Sequence, residues 1–552
     1  MPFGILDDHK LDTVPGTGLI SVKDDHLATY EARELKRGTG KYSHIVLIPQ
    51  PSDDPRDPLN WPPLKKEACF WTLVFAAIIS EVLSSSASPA YVLLAKEFHV
   101  SVDDVTSCFS AGDLGLATFA LVQNPLAFKY GHRIIYLLST LLMFTTCIWT
   151  ALSPNLTSIR ASRVFQGFGR RAPQCLLGAT IEQLFFVHER GFRASAWYFA
   201  RMGSSALGSV IGGYIIQNLS WQLLFWLASI ACGLALVGVF FFVPETTYLR
   251  QPSPISFTPT KNEDAADKDK ALSPNAPTTG ILSQIKIYSG TFSDESLWKS
   301  FLKQFIFVLS PVTWFVFVDF LLPALWQNLV SICSSTIFTV TYGFTAAQIG
   351  LTQLGGFVGA VLAMLITGPL NDRCIVWVSQ RNHGVYEPEF RLFFMLSMLF
   401  GVFGYVGWAI GNDNHMPWIG AVACYMTIHF SVVISGGAAV GYLLDTHGTR
   451  SLHVLSITHF AEDMVSYAST FFANGFVLAH GVKHSLLILG GCQAACWLAA
   501  VAMYVCGKRA RSFIARHPAL FSGDVPTSES GSCQCCSQSA ASAGPGTPNS
   551  KS

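Results

Sequence analysis

The chain has 552 residues, 50% of them hydrophobic and only 13% charged, where an ordinary soluble domain carries about 25% charged residues. That balance excludes a mainly disordered chain, a collagen-like fibre and a disulfide-stapled secreted module. With 36 basic and 35 acidic side chains the net charge is +1, which leaves no nucleic-acid footprint. The class left standing is an all-α protein that crosses the bilayer many times.

Residues 1–67 open the chain without the basic-then-apolar pattern of a cleaved signal peptide. They are polar and punctuated by proline, and read as a cytosolic tail with little fixed structure. A helix needs about 20 apolar residues to cross a bilayer. Twelve stretches meet that need: 69–92, 105–127, 134–152, 157–180, 194–217 and 222–243, then 308–332, 348–370, 390–411, 416–440, 454–478 and 484–506. Between the two sets lies a charged, proline-rich stretch that cannot build a core. The expected plan is a tail (1–67), a six-helix half (68–243), a linker (244–307), a second six-helix half (308–507) and a C-terminal tail (508–552).

Lys and Arg in the short loops set the orientation. Lys129, Arg133, Arg190, Arg193, Arg373, Arg381 and Arg450 fall on one side, with the linker and both tails, so that side is expected to be cytoplasmic. The two N-x-S/T sequons, Asn155 and Asn218, fall in loops on the opposite side and are candidate glycosylation sites. The fourteen cysteines are scattered, with no zinc-site spacing, so no metal is expected.

Several motifs appear in order. The loop after span 8 reads Gly368-Pro-Leu-Asn-Asp372-Arg373, and its counterpart after span 2 runs from Asn124 to Arg133 through Phe128, Lys129 and Gly131. Span 4 carries Arg163-Val-Phe-Gln166-Gly167. Span 5 carries Gly208-Ser209-Val-Ile-Gly212-Gly213, and span 6 ends in Pro244-Glu245-Thr246. Asp57-Pro-Leu-Asn60-Trp61-Pro62 precedes span 1. This ordered set resembles the major facilitator superfamily, and within it the fungal drug:proton antiporter branch of multidrug, toxin and polyamine exporters. The resemblance implies two six-helix halves rocking about a midplane site. It implies a cytoplasmic gate built on Gly131, Arg133, Gly368, Asp372 and Arg373, and an antiporter motif on Gly208, Gly212 and Gly213. The sequence departs from the family pattern at Asn124 (for Gly), Phe128 (for Asp) and Ser209 (for Pro). It departs again at Arg170 and Arg171, where relatives are small and apolar, and at Glu462 and Asp463, where relatives often show Lys-Asn.

Ionisable side chains at mid-membrane are expensive and face a cavity or a partner. At about 1.5 Å per residue, Glu81 lies roughly 18 Å into span 1 and Arg163 about 9 Å into span 4, at similar depth. In the resembled fold both spans line the central cavity, so a Glu81–Arg163 pair that reports protonation is expected, against the alternative of a static buried pair. Asp113 is a further proton or cation site, or a capped polar residue. Asp319, flanked by Pro311 and Pro323, is a candidate cavity residue. His459, Glu462 and Asp463 share a face of span 11 at i, i+3 and i, i+4, as a proton relay or as that span's solvated end. Arg170 and Arg171 are expected to snorkel to lipid phosphates or to pair with Glu182, against the alternative of neutralising an anionic substrate in the cavity.

The resulting expectation is a proton-coupled exporter of a small amphipathic molecule, a xenobiotic or a secondary metabolite. The proton gradient supplies the energy, since no nucleotide-binding motif is present and no cofactor is called for. It is expected to be a monomer in the bilayer of the plasma membrane, with a vacuolar or vesicle membrane as alternatives. Its partners are the substrate, protons and lipid, and it is not expected to be an enzyme. A proton-coupled importer of a nutrient or polyamine is the second reading, and a non-transporting sensor the third.

Overall fold

The computed structural model describes residues 5–6, 18–19, 51–52, 54, 57–248, 286–288, 290–292, 296–382, 385–447 and 451–517. These are almost wholly helical. The first half comprises α1 (Pro63–Phe98), α2 (Val102–Tyr130), α3 (His132–Ala151), α4 (Leu156–Leu184), α5 (Val187–Asn218) and α6 (Trp221–Phe242). A short helix, Leu297–Ile306, leads into the second half. There follow α7 (Pro311–Tyr342), α8 (Ala346–Thr367, running on to Arg381), α9 (Pro388–Asp413), α10 (Trp418–His447), α11 (Ser451–Ser469) and α12 (Ala473–Arg516).

Among the described residues, nine of these helices are long and apolar enough to cross a membrane by composition. The other three are α4, α5 and α11. They are the more polar helices, and between them they carry Arg163, Arg170, Arg171, Arg201, Glu462 and Asp463. Helix starts at the far end from the linker are fixed locally by side-chain caps. Asn155 accepts from Ser158 N at 2.9 Å, Ser220 from Leu223 N at 3.2 Å, and Ser101 from Asp104 N at 3.0 Å.

The helices are less regular than the apolar runs suggest. The first, expected as one run over 69–92, is α-helical over Pro63–Ser85 and then passes through a 3₁₀ turn at Ser88–Ala90, where Pro89 supplies no backbone donor. Helix α7 continues ten residues past the expected end at 332, because its Ser- and Thr-rich last turns are buried against neighbours. It also contains a π turn at Phe317–Leu321. Helix α11 ends at Ser469, short of the expected 478, and α12 kinks at Gly481, whose φ is 81°.

Parts of the N-terminal tail are docked, contrary to the expectation of little fixed structure. Ile5 is buried against Val378 and Phe390, and Leu6 N donates to Val505 O at 3.1 Å. Gly18–Leu19 pairs antiparallel with Val385–Tyr386. Nearer α1, the buried Asp57 accepts from Leu59 N and from Ser52, while Lys66 Nζ donates to Leu59 O at 2.9 Å. The motif ahead of span 1 thus fastens the entrance of α1.

The halves meet along α2 against α11 and α5 against α8. At the linker end Asn124 Nδ2 donates to Leu452 O at 2.9 Å and to Ser456 Oγ, and Phe128 stacks on His453 at 5.7 Å. At the far end Asp103 accepts from Asn474 N and Gly475 N at 3.2 and 3.1 Å, and Gln217 Oε1 accepts from Ala347 N at 2.8 Å. The space between the halves is therefore bounded by contacts above and below.

Candidate functional site

Helix α1 runs from the linker end outward and α4 runs back. Ser80 Oγ reaches Arg170 O at 3.3 Å, which sets the level at which their polar residues meet. There Glu81 accepts a 2.6 Å hydrogen bond from Gln174 Nε2. Arg201 of α5 stands on its other side, with Nε 3.9 Å from Glu81 Oε1. The same guanidinium faces the second half, where it lies 3.8 Å from Glu462 Oε1 on α11. Glu462 is bonded in turn to His459 Nδ1 at 2.8 Å. One turn along α4, Arg171 pairs with Asp463 of α11 at 2.9 Å. A continuous chain of charges therefore crosses from α1 through α4 and α5 to α11, joining the two halves. A cavity beside it is lined by Asn124, Gln174, Trp197, Arg201, Phe320 and His459.

The expected Glu81–Arg163 pair does not form. Arg163 is buried and its guanidinium is taken by Phe109 O at 2.8 Å, Leu83 O at 3.1 Å and the side chain of Gln166. It also lies over the Phe225 ring. The physical reason is direction: side chains tilt toward the N-terminus of their own helix. On antiparallel helices Glu81 leans toward the linker end and Arg163 away from it. The motif around Arg163 and Gln166 thus clamps α4 to the carbonyls of α1 and α2.

Arg170 and Arg171 do not reach for lipid. Both are buried, Arg171 in its pair with Asp463 and Arg170 within electrostatic reach of Asp113 and Glu81. Asp113 lies within electrostatic reach of Arg170, Arg163 and Glu81 in its own half and of Asp463 in the other. Asp319 does not line the cavity. It is 0% exposed behind the wall formed by its neighbour Phe320. His429 packs edge-on against Tyr425 at 4.5 Å, with Gln327 Nε2 3.3 Å from its ring nitrogen.

Of the gate residues, Gly131 and Arg133 are braced within their own half. Glu245 of the Pro244-Glu245-Thr246 motif accepts from His132 N at 3.0 Å and Arg133 N at 3.3 Å, capping the bare start of α3. Arg133 donates to Val243 O at 2.7 Å and Phe240 O at 3.0 Å. Gly131 has φ 91°, and a side chain there would strike Glu245. Gly368 and Asp372 lie on the extension of α8, where Arg373 is exposed and the side chain of Asp372 lies outside the described residues. Glu389 is bound by Arg511 at 2.9 and 2.7 Å, and Arg391 by Asp445 at 2.6 Å. Among the described residues, Asn124 and Phe128, two departures from the motif, contact the other half at this end.

Gly208, Gly212 and Gly213 let α5 approach two helices at once. A Cβ on Gly208 would meet Val82 O of α1, one on Gly212 would strike the backbone of Ser86, and one on Gly213 would meet Ala346 O of α8 at 2.5 Å. Asn155 and Asn218 are exposed at the far end, Asn155 as the cap of α4 and Asn218 with Nδ2 bonded to Tyr214 O.

Sequence reasoning passed over Arg201 and Gln174. The signal for Arg201 was present, since a cation seven residues into an apolar run is a site candidate by default. Gln174 gave none, because an uncharged amide inside a helix is common. Among the described residues no group of three or more His, Cys, Asp or Glu side chains is placed to hold a metal.

The family model for the Major Facilitator Superfamily matches residues 73–442. The chain belongs to the Major Facilitator Superfamily. An uncharacterized MFS-type transporter of Schizosaccharomyces pombe is 24% identical over 92% of this chain and 94% of its own. The efflux pump radE of Floropilus chiversii is 25% identical over 66% of each chain. Among solved structures, the proton:xylose symporter XylE superposes with a TM-score of 0.53 at 14% identity, covering 80% of this chain and 96% of that one. At that identity the likeness shows the fold alone. The superfamily member described here is an integral membrane transporter, and the charge chain sits between its two halves.

Proposed function

We propose that this transporter couples proton movement to export of a small amphipathic molecule by alternating access. The observation that carries the reading is Arg201, held between Glu81 of its own half and Glu462 of the other at nearly equal distances. A proton on Glu81 releases Arg201 toward Glu462 and tightens the bond between halves. A proton on Glu462 does the reverse, and one on Asp463 frees Arg171. Protonation thus biases a two-state element, which is what coupling requires. Buried ion pairs contribute little net stability against their desolvation cost, so a network of this kind suits switching better than anchoring.

Efflux is supported by the named efflux pump among the relatives and by the glycine motif of α5. In this reading the linker end faces the cytosol, the protein sits in the plasma membrane as a monomer, and it needs no cofactor beyond the proton gradient. The transporter names of its relatives also support a protein that carries its substrate across the membrane chemically unchanged. Ser209 in place of the motif's proline and the acidic face of α11 favour a second reading, proton-driven import.

Reconstitution in liposomes under an imposed pH gradient tests both, with a panel of amphipathic compounds and Glu81→Gln as the comparison. Substrate movement opposite to the protons, lost in Glu81→Gln, is the expected result. Movement with the protons selects import, and gradient-independent movement by both proteins removes the coupling role from Glu81.

A further inference from the structure

Asp319 stands apart from the charge chain and is not used by the coupling just described. Its carboxylate is fully buried, and among the described residues neither oxygen has a hydrogen-bond partner. The elements packed around it give it no counter-charge there. From α12 Cys496 lies within electrostatic reach of it, from α10 Tyr442 packs edge-on against Phe315 at 5.4 Å, and from α11 His459 packs edge-on against Phe320 at 5.6 Å. An isolated carboxylate anion is not tolerated in such surroundings.

The backbone adds a second observation. Asp319 is the central residue of the π turn at Phe317–Leu321. Pro323 lies four residues on, where it offers no N–H to the Asp319 carbonyl and its ring crowds that oxygen. A π turn holds one residue more than the α-helical turn it replaces and recurs at functional sites. Relaxing it to α-helix turns one flank of α7 against the other by about 100°, one residue's worth of rotation. The residue next in line is Phe320, which lines the cavity beside the charge chain and packs against His459, the partner of Glu462.

We propose that Asp319 is a second proton-carrying site, exchanged with Phe320 at the cavity wall by a register shift of this π turn. In the state seen here the acid is stored, protonated, behind the wall. In the shifted state it faces the cavity and meets water or substrate. The contact from His459 to Phe320 ties that shift to the charge chain.

An apolar carbodiimide tests this directly, because it adds to protonated carboxylic acids: the acid O–H adds across one C=N bond, and the acyl group then migrates to nitrogen with no leaving group. Dicyclohexylcarbodiimide applied to the intact protein in lipid nanodiscs, followed by peptide mapping, should label Asp319, and the label should fall severalfold as pH is raised. Pro323→Ala, which removes the cause of the π turn, should change the labelling rate severalfold. Asp319→Asn should lose the label while keeping its melting temperature, since an unpaired neutral acid and an amide are near-isosteres. No label at Asp319 at any pH, in protein shown by its melting curve to be folded, overturns the proposal. An equal rate in Pro323→Ala overturns the register shift, and a large drop in melting temperature for Asp319→Asn overturns the neutral, unpaired acid. None of these readouts depends on substrate or direction, so they stand whatever becomes of the coupling role of Glu81.

Discussion

Between Glu81 and Glu462 the Arg201 guanidinium is 3.9 Å from one carboxylate and 3.8 Å from the other, so neutralising either acid moves it toward the remaining one. Glu81→Gln and Glu462→Gln should therefore act in opposite senses on the equilibrium between closed and parted halves. Fluorophores on the two halves, read for energy transfer, should shift in opposite directions; a shift of the same sign in both would remove the shared-arginine account. Arg171 and Asp463 present a different case, a direct 2.9 Å pair whose arginine is buried. Removing one partner of a buried pair costs about 3 to 5 kcal/mol, whereas replacing both with apolar residues costs far less. Arg171→Met should lower thermal stability by an amount of that order, and Arg171→Met with Asp463→Leu should recover most of it. Transport coupled to protons should fail in both, which separates folding from function.

The glycines of α5 and the loop at Gly131 show what single elements demand. Gly212 lies where a Cβ would strike the backbone of Ser86, which cannot be relieved by a rotamer change. Gly212→Val should push α5 off α1, and with it Arg201 off Glu81; loss of transport with a lowered melting temperature is the expected result. A functional variant would show that this close approach is not needed. The cap on α3 makes a milder prediction. Glu245 accepts from two backbone donors at the helix start, and losing such a cap costs about 1 kcal/mol. Glu245→Ala should cost about that in denaturant unfolding, with the position of Arg133 loosened and the charge chain untouched.

At the scale of the whole molecule, the halves are joined at both ends around an interior polar site. Alternating access requires each junction to open in turn. A disulfide between Asn124→Cys and Ser456→Cys should lock the linker end, and one between Thr106→Cys and Asn474→Cys should lock the far end, since each native pair is in hydrogen-bond contact. Either oxidised double variant should stop transport, and reduction should restore it. The matching single-cysteine variants control for the native thiols. Transport that persists through either cross-link would show that this end does not open.

The sequence by itself determined the class, the helices and the family. Each of these follows from a periodicity or a composition that every residue in a segment shares. Twelve apolar runs must become helices, because the bilayer leaves no other way to satisfy the backbone. It also marked charged residues inside apolar runs, Glu81 and Arg163 among them, while leaving Glu462 and Asp463 open between a relay and a solvated helix end. Partners were another matter. Arg163 and Glu81 were matched by depth, yet depth says nothing of angle, and the opposite tilt of side chains on antiparallel helices sent Arg163 to the carbonyls of Phe109 and Leu83. The acid's neighbours, Gln174 and Arg201, come from elsewhere on α4 and from α5. The departures at Asn124 and Phe128 looked like losses from a motif, and both touch the other half at the linker end. Asp319 looked like a cavity residue, yet it is fully buried and its neighbour Phe320 lines the cavity. A buried charge announces itself along the chain, but the rotation of its helix and the helix it faces are set by packing between segments hundreds of residues apart, and only the tertiary structure decides them.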